Sequence, residues 1–211
     1  MRCAYTGRMR ELERNLLRLY RSATETDYAL GVAWYPRAHA IVCEWANTYE
    51  RPIANVACIV SALSPQCSWE RNLIIADDVL ADRAISVGGA LPANVRKARR
   101  ILEDRATVMM PYFPHGPKVN TFAANLAGNY DVATVDTHCI QAALNDVEAT
   151  INLKWSRYNV FSQCYVNAAS RVGLAPAHFQ SVIWHVWKRL HPRVSKIQQR
   201  RQWHVIGELE D

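Results

Sequence analysis

One apolar segment constrains the fold of this chain more than any other feature. Residues 53–63 read IANVACIVSAL, directly after Pro52 and before a Ser64-Pro65 break. A segment of this length that is apolar on nearly every side predicts a buried helix with other helices packed around it. No stretch alternates apolar and polar residues with the period of two that marks a half-buried strand. The sequence therefore predicts an all-α protein of ten to twelve short helices.

Apolar spacing and capping residues predict where the other helices lie. Leucines on one face indicate an amphipathic helix over Glu11–Arg21. Thr24 and Asp27 form the pattern of a capping box for a second short helix that ends at Trp34. Because proline is tolerated in a first helical turn, Pro36 predicts the start of a separate helix. Further helices are predicted after Ser68 and over Asn94–Arg105, Arg105–Met110, Asp136–Leu144, Arg157–Val172 and Ala177–Leu190, with Trp184 and Trp187 of the last one in the core.

Composition narrows the class of protein. The 211 residues are 50% hydrophobic, which is enough for a full core, and no apolar run approaches the ~20 residues that span a bilayer. The first ten residues are basic but lack the apolar centre of a signal peptide, so we expect a cytoplasmic protein without membrane contact. The six cysteines include no CxxC pair and the histidines form no HxxxH or HxH cluster, so we expect no metal and no cofactor. The net charge of +6 fits a polyanionic partner.

The stretch 113–138 contains the candidate catalytic residues. A tight turn with Gly116 is followed by Lys118 and an apolar helical run, and a second turn leads to Asp136 at the start of another helix. Backbone amides at a helix–hairpin–helix unit bind a DNA phosphate, which brings the lysine close to the bound strand. An amine and a carboxylate placed in this way suit attack at a sugar anomeric carbon, because the carboxylate stabilises positive charge there. A partly desolvated lysine also has a lowered pKa and forms Schiff bases.

These residues resemble the helix-hairpin-helix (HhH-GPD) DNA glycosylase superfamily, and in particular its endonuclease III-like lyases. That family has a Gly-x-Gly-x-Lys hairpin followed by Val-Asp-Thr-His at the same eighteen-residue spacing from lysine to aspartate, here Lys118 to Asp136. Leu63-Ser64-Pro65-Gln66 looks like the family's Leu-Ser-x-Gln turn, Lys97-Ala98 like its Lys-Ala pair, and Ala175–Trp187 like the helix behind the aspartate. The first hairpin glycine is replaced by Pro114, and the family's iron–sulfur loop is absent.

The resemblance implies roles for individual residues. It implies Lys118 as the nucleophile at C1′ and Asp136 as the group that stabilises charge. It implies that Gln66 fills the gap left by an extruded base. The remaining candidates fall into two groups: DNA contacts at Ser64, His115, Gly116 and Lys97, and a possible base pocket at His138, Trp69 and Trp34.

The expected fold is a single two-lobed domain over residues 1–211 with the active-site cleft between its lobes. Residues 51–130 would form the lobe with the helix–hairpin–helix, and residues 1–50 with 131–211 the other lobe. The expected function is base-excision glycosylase activity on double-stranded DNA, with associated β-elimination lyase activity, by a monomer in the cytoplasm, including that of a phage-infected bacterium. Two alternatives stay open: a phage thymine-hypermodification transferase or lyase on the same fold, and a non-catalytic DNA-binding module.

Overall fold

The computed structural model describes residues 2–104, 116–149 and 155–192, and within these ranges the chain is all-helical. Nine α-helices and no strand are present there, which confirms the predicted fold class at this level. In chain order the helices are α1 (Arg2–Arg21), α2 (Glu25–Thr48), α3 (Ile53–Leu63), α4 (Trp69–Leu80), α5 (Pro92–Asp104), α6 (Pro117–Leu126), α7 (Thr137–Leu144), α8 (Trp155–Val172) and α9 (Pro176–Leu190). The helix predicted over residues 105–110 lies outside the described residues.

Side-chain caps fix several of the helix starts. At α2 the predicted capping box is confirmed: the Asp27 amide donates to Thr24 Oγ1 at 3.1 Å, and the Thr24 amide donates to Asp27 Oδ2 at 3.0 Å. Ser68 caps α4 by accepting from the Arg71 amide, and Asp136 caps α7 by accepting from the Cys139 amide. Each such cap contributes about 1 kcal/mol by satisfying an amide that has no partner within its helix.

Pro36 does not start a new helix, and the prediction of two helices between Thr24 and Tyr49 is wrong. Helix α2 runs without interruption from Glu25 to Thr48 with Pro36 inside it. An interior proline removes one backbone hydrogen bond and costs about 3 kcal/mol. Pro36 is exposed, whereas Tyr35, Ala38 and Val42 on the opposite side are buried. Burying side chains of this size gains about 1.5–3 kcal/mol for each large one, so packing outweighs the local preference.

The buried hydrophobic residues form two clusters. The first joins α1, α7, α8 and α9 and includes Ala133 and Val135 from the connection that precedes α7. The second joins α2 to α6, and the mostly apolar α3 belongs to it, as its sequence predicts. The proposed boundaries of two lobes, at residues 51–130 and at 1–50 with 131–211, stay a prediction.

Helix α9 joins the two clusters through its contact with α2. Gly31 makes this contact possible, because a Cβ atom there would lie 2.5 Å from the Cα of Val182. At the other end of the contact, Arg189 Nε donates to Asp27 Oδ2 at 2.8 Å. The close approach therefore depends on a residue without a side chain and on one ion pair.

Among the described helices, none combines the length and the apolar character that crossing a bilayer requires.

Candidate active site

Lys118 occupies the second position of α6, where its amine is withdrawn from water. Gly116 is the exposed N-cap of this helix and Pro117 its first residue, a position at which the missing amide has no helical role. Lys118 Nζ donates to Ser64 Oγ at 2.9 Å and lies 5.1 Å from the centroid of the Phe122 ring. Desolvation lowers the pKa of the Lys118 amine, and the Asp136 carboxylate opposes this shift only in part.

Asp136 holds its carboxylate in a fixed orientation at the N-terminus of α7. Oδ1 accepts from the Cys139 amide at 2.9 Å, and Oδ2 accepts from the indole Nε1 of Trp184 at 3.2 Å. Each oxygen therefore has one donor and keeps a further lone pair. The Asp136 carboxylate acts electrostatically on the Lys118 amine and raises its pKa against the larger effect of desolvation.

Two buried polar side chains fix the connection between α6 and α7. Asn125 Nδ2 donates to the carbonyls of Asn129 and Val132 at 2.8 and 2.9 Å, and its Oδ1 accepts from Thr134 at 2.6 Å. The side chain is fully buried, so these bonds satisfy an amide that has no access to water.

The second of these side chains, Tyr158 of α8, ties the same connection to α6. Its hydroxyl accepts from the Val135 amide at 3.0 Å, contacts the Ala133 carbonyl at 3.2 Å and bonds the Thr121 hydroxyl. Thr121 lies one turn after Lys118 and Val135 directly precedes Asp136. One hydroxyl thus sets the position of both candidate catalytic residues.

Phe122, whose ring lies near the Lys118 amine, belongs to a cluster of aromatic rings. Phe122 is at the centre, with its ring centroid 6.0 Å from that of Trp34, 6.5 Å from that of Trp69 and 6.4 Å from that of Tyr35. Trp34 and Trp69 contact each other with centroids 5.1 Å apart and planes tilted by 54°. Both tryptophans predicted for a base pocket are therefore in one cluster, next to the candidate nucleophile.

A chain of neutral polar groups lies behind Asp136. Tyr35 Oη donates to Gln180 Oε1 at 2.9 Å, and Gln180 Nε2 donates to Cys139 Sγ at 3.2 Å. Burial raises the pKa of Tyr35 and that of Cys139 well above their usual ranges, so both groups are uncharged at neutral pH. For Cys139 the Asp136 carboxylate adds to the effect of burial.

The turn that supplies Ser64 also presents Gln66 to solvent. The Cys67 amide donates to the Ser64 carbonyl at 3.3 Å, which closes a four-residue turn with Pro65 at its second position. Gln66 takes a φ of 60° in this turn, in the left-handed region that favours glycine. An exposed glutamine is therefore held in a strained backbone conformation beside the candidate nucleophile.

Two further predicted site residues lie on α5 and α7. Lys97 lies half-buried in α5, and its neighbour Arg99 bonds Asp82 at 3.0 Å. His138 is the second residue of α7, with its ring 6.2 Å from that of Trp184 and its Nδ1 3.3 Å from Gln141 Oε1. His115 lies outside the described residues.

Trp184 packs against the first core cluster, as predicted, but it also contacts the candidate site, which the sequence did not indicate. Trp187 of the same helix is 2% exposed. Trp184 is half-buried and donates to Asp136, while Lys188 Nζ lies 4.2 Å from its ring centroid. The i, i+4 spacing of Trp184 and Lys188 is a sequence signal from which the contact of this ring with a cation could have been predicted.

Comparison with known proteins identifies the family of the chain. Residues 2–191 match the family of unknown function DUF7178, and the chain belongs to that family. No curated protein and no solved structure matches it.

Proposed function

We propose that this chain is a DNA base-excision glycosylase with associated abasic-site lyase activity, built on the two-lobed helix-hairpin-helix glycosylase fold. The observation that carries the proposal is the desolvated Lys118 amine, which lies against Ser64 and within the electrostatic reach of Asp136. A non-catalytic DNA-binding module has no use for a buried amine, since phosphates bind charged and exposed lysines.

The environment of Lys118 favours nucleophilic attack. An amine must lose its proton before it attacks carbon, and desolvation by the surrounding side chains lowers its pKa. In the proposed reaction Lys118 Nζ forms a bond to C1′ of an extruded nucleotide, and the base leaves with the electron pair of the glycosidic bond and takes up a proton. Opening of the sugar then gives a Schiff base, from which β-elimination breaks the strand on the 3′ side.

The environment of Asp136 suits stabilisation of the positive charge that develops on the sugar. Its carboxylate is held by a backbone amide and an indole N–H, so it needs little rearrangement as that charge forms. Asp136 lies at a helix N-terminus, where a negative charge is favoured, and it retains lone pairs for the reacting sugar.

The proposed DNA contacts surround this pair. Gln66 projects from a strained exposed turn and would fill the space left in the duplex by the extruded base. Gly116 at the start of α6 is exposed and open to a backbone phosphate. Lys97 extends the basic surface along α5.

Borohydride trapping on a duplex with one abasic site tests the proposal. Borohydride delivers hydride to the C=N bond and converts a Schiff base into a stable secondary amine. We expect a covalent protein–DNA adduct with the parent chain and none with Lys118→Ala. Lys188→Ala is the matched control, because it removes an exposed lysine close to Asp136 and should retain the adduct.

A second substrate separates the roles of the two residues. Asp136→Asn should reduce release of a base from an intact nucleotide at least about a hundredfold, the lower range for removal of one electrostatic group. It should affect trapping at a pre-formed abasic site much less, because the base has already left. Tight DNA binding without any adduct would support the binding-module alternative, and activity confined to hydroxymethyluracil-containing DNA would support the thymine-modifying enzyme.

A further inference from the structure

Helix α1 carries an arginine row on its solvent side, whereas its leucines are buried in the first hydrophobic cluster. The members of the row are all exposed and are Arg10, Arg14, Arg18 and Arg21. At about 100° and about 1.5 Å per residue, these four positions fall within an arc of about 80° and extend over about 16 Å of the helix. The row is therefore a narrow line of guanidinium groups along one side of α1.

The charge of the arginine row is not neutralised within the described part of the chain. No carboxylate there forms an ion pair with any of its members. Glu13 is buried and accepts from Arg171 at 2.9 Å and from Asn167 at 2.8 Å. Glu11 is the other carboxylate of α1 and is exposed near the edge of the row. The exposed side of the helix thus carries four positive charges against one negative charge.

The type and spacing of these cations fit a phosphodiester backbone. All basic residues of α1 are arginines. A planar guanidinium can donate two parallel hydrogen bonds to a phosphate, which the ammonium group of lysine does not offer in a fixed geometry. A DNA duplex presents one phosphate for about every 3.4 Å along each strand, so a line of about 16 Å spans about five of them. A line of positive charge therefore matches a line of negative charge.

An anionic membrane is a less suitable partner for this helix. A helix that lies on a membrane buries its apolar face among the lipid head groups and acyl chains. The leucines of α1 are already buried in the first hydrophobic cluster. None of the exposed large hydrophobic residues among those described belongs to α1. Helix α1 thus has charge to offer a membrane and no described apolar surface to insert.

We infer that the arginine row binds the phosphates of a DNA duplex without regard to base sequence. The four guanidinium groups displace counterions from the duplex, so the affinity falls as the salt concentration rises. This surface goes beyond the proposed function, because α1 packs on α7, α8 and α9 and the row contains no residue of the candidate active site. Binding at the row does not require the reaction at Lys118.

Arg8 provides a matched control on the same helix. It is exposed, and it lies about 80° beyond the edge of the arc that the arginine row occupies. Arg8→Gln and Arg14→Gln each remove one exposed positive charge from α1, and glutamine has nearly the helix propensity of arginine. The two variants therefore differ in whether the lost charge belongs to the row.

Fluorescence anisotropy of the full chain with a labelled, undamaged DNA duplex tests the inference, with salt varied from about 50 to about 200 mM. The logarithm of the association constant falls linearly with the logarithm of the salt concentration, and we expect Arg14→Gln to reduce this slope by about 0.9. The double variant Arg14→Gln/Arg18→Gln should reduce it by about 1.8 and weaken binding at least about tenfold at the lowest salt. Arg8→Gln should leave the slope unchanged, and circular dichroism verifies that each variant is folded.

Three results would overturn the inference: the same slope for the parent and the double variant, equal effects of Arg8→Gln and Arg14→Gln, or displacement of the duplex by polyglutamate as effectively as by unlabelled duplex. If the double variant loses binding to phosphatidylserine vesicles and retains duplex binding, the row binds membranes instead. Lys118→Ala should keep the slope of the parent. A slope that depends on the row without a borohydride adduct would remove the glycosylase proposal alone, and an adduct with a slope that is independent of the row would remove the present inference alone.

Discussion

Replacing Gln66 by glycine should make the protein more stable. Gln66 has a φ of 60° in the turn between α3 and α4, after Pro65 and before the amide of Cys67 that closes the turn. An L-residue in the left-handed region is destabilised by about 1–2 kcal/mol because its Cβ approaches the following carbonyl. Glycine has no Cβ and adopts this conformation freely.

The expected increase in the free energy of unfolding is smaller than the full strain energy of the left-handed conformation. Glycine increases the conformational entropy of the unfolded chain, which opposes the gain by about 0.5–1 kcal/mol. Gln66 is exposed, so little of its side chain is buried against the rest of the protein. The net effect of Gln66→Gly should be about 0.5–1 kcal/mol, which raises the melting temperature of a chain of 211 residues by about 1–4 °C.

Thermal and urea unfolding measure this gain, and Glu50→Gly is its matched control. Glu50 is exposed, follows α2 and has a φ of 49°, so it should show a gain of similar size. The two variants should differ in activity. If Gln66 fills a gap in the duplex, Gln66→Gly loses base release on double-stranded DNA but retains it on single strands, which have no gap to fill. Glu50→Gly should retain both activities.

Two results would refute this reasoning. If Gln66→Gly lowers the free energy of unfolding while Glu50→Gly raises it, the glutamine side chain makes a stabilising contact and the turn is not strained by it. If both variants retain activity on duplex DNA, Gln66 does not act on the extruded site.

Two further substitutions test the charge of Lys118 and the packing of α2 against α9. Lys118→Met should raise the free energy of unfolding at neutral pH and abolish the borohydride adduct. The pKa of Lys118 in the folded chain lies below the ordinary 10.5. Burial of the charged amine therefore destabilises the parent chain fully at pH values below that folded pKa, and this destabilisation disappears as the pH rises toward 10.5. The advantage of Lys118→Met in urea unfolding should therefore shrink between pH 7 and pH 10, and a constant difference would contradict a charged, desolvated amine. Gly31→Ala should lower the free energy of unfolding by about 1–3 kcal/mol, because its Cβ would lie 2.5 Å from the Val182 Cα. Gly7→Ala in α1, where nothing lies within 4 Å of an added Cβ, should raise it by about 1 kcal/mol through higher helix propensity. Equal effects of the two alanine variants on the melting temperature would show that α2 and α9 can move apart to admit a Cβ without a loss of stability.

Helix starts with a side-chain cap were predicted well, whereas α1 begins at Arg2 rather than at the predicted Glu11 and Pro36 starts no helix. The capping box at Thr24 and the cap at Asp136 depend on residues within four positions of each other, so a local pattern is sufficient. The resemblance also paired Lys118 with Asp136, and the Asp136 carboxylate acts electrostatically on the Lys118 amine.

Features that depend on how helices dock could not be predicted in this way. Trp184 bonds Asp136 because α9 packs against α7. The spacing of two residues so far apart in the sequence does not show which face of α9 is turned toward α7. Pro36 shows the same limit, since burial of one face of α2 outweighed the local preference of proline.

The bonds of Asn125 and Tyr158 make the connection between α6 and α7 intolerant of changes in length. Asn125 fixes the carbonyls of Asn129 and Val132, and Tyr158 fixes the backbone at Ala133 and Val135. An insertion or deletion between Gly128 and Val135 would shift these acceptors out of register and move Asp136 away from Lys118. Length variation among natural relatives should consequently fall elsewhere in the chain, while this segment keeps its number of residues even where its side chains change.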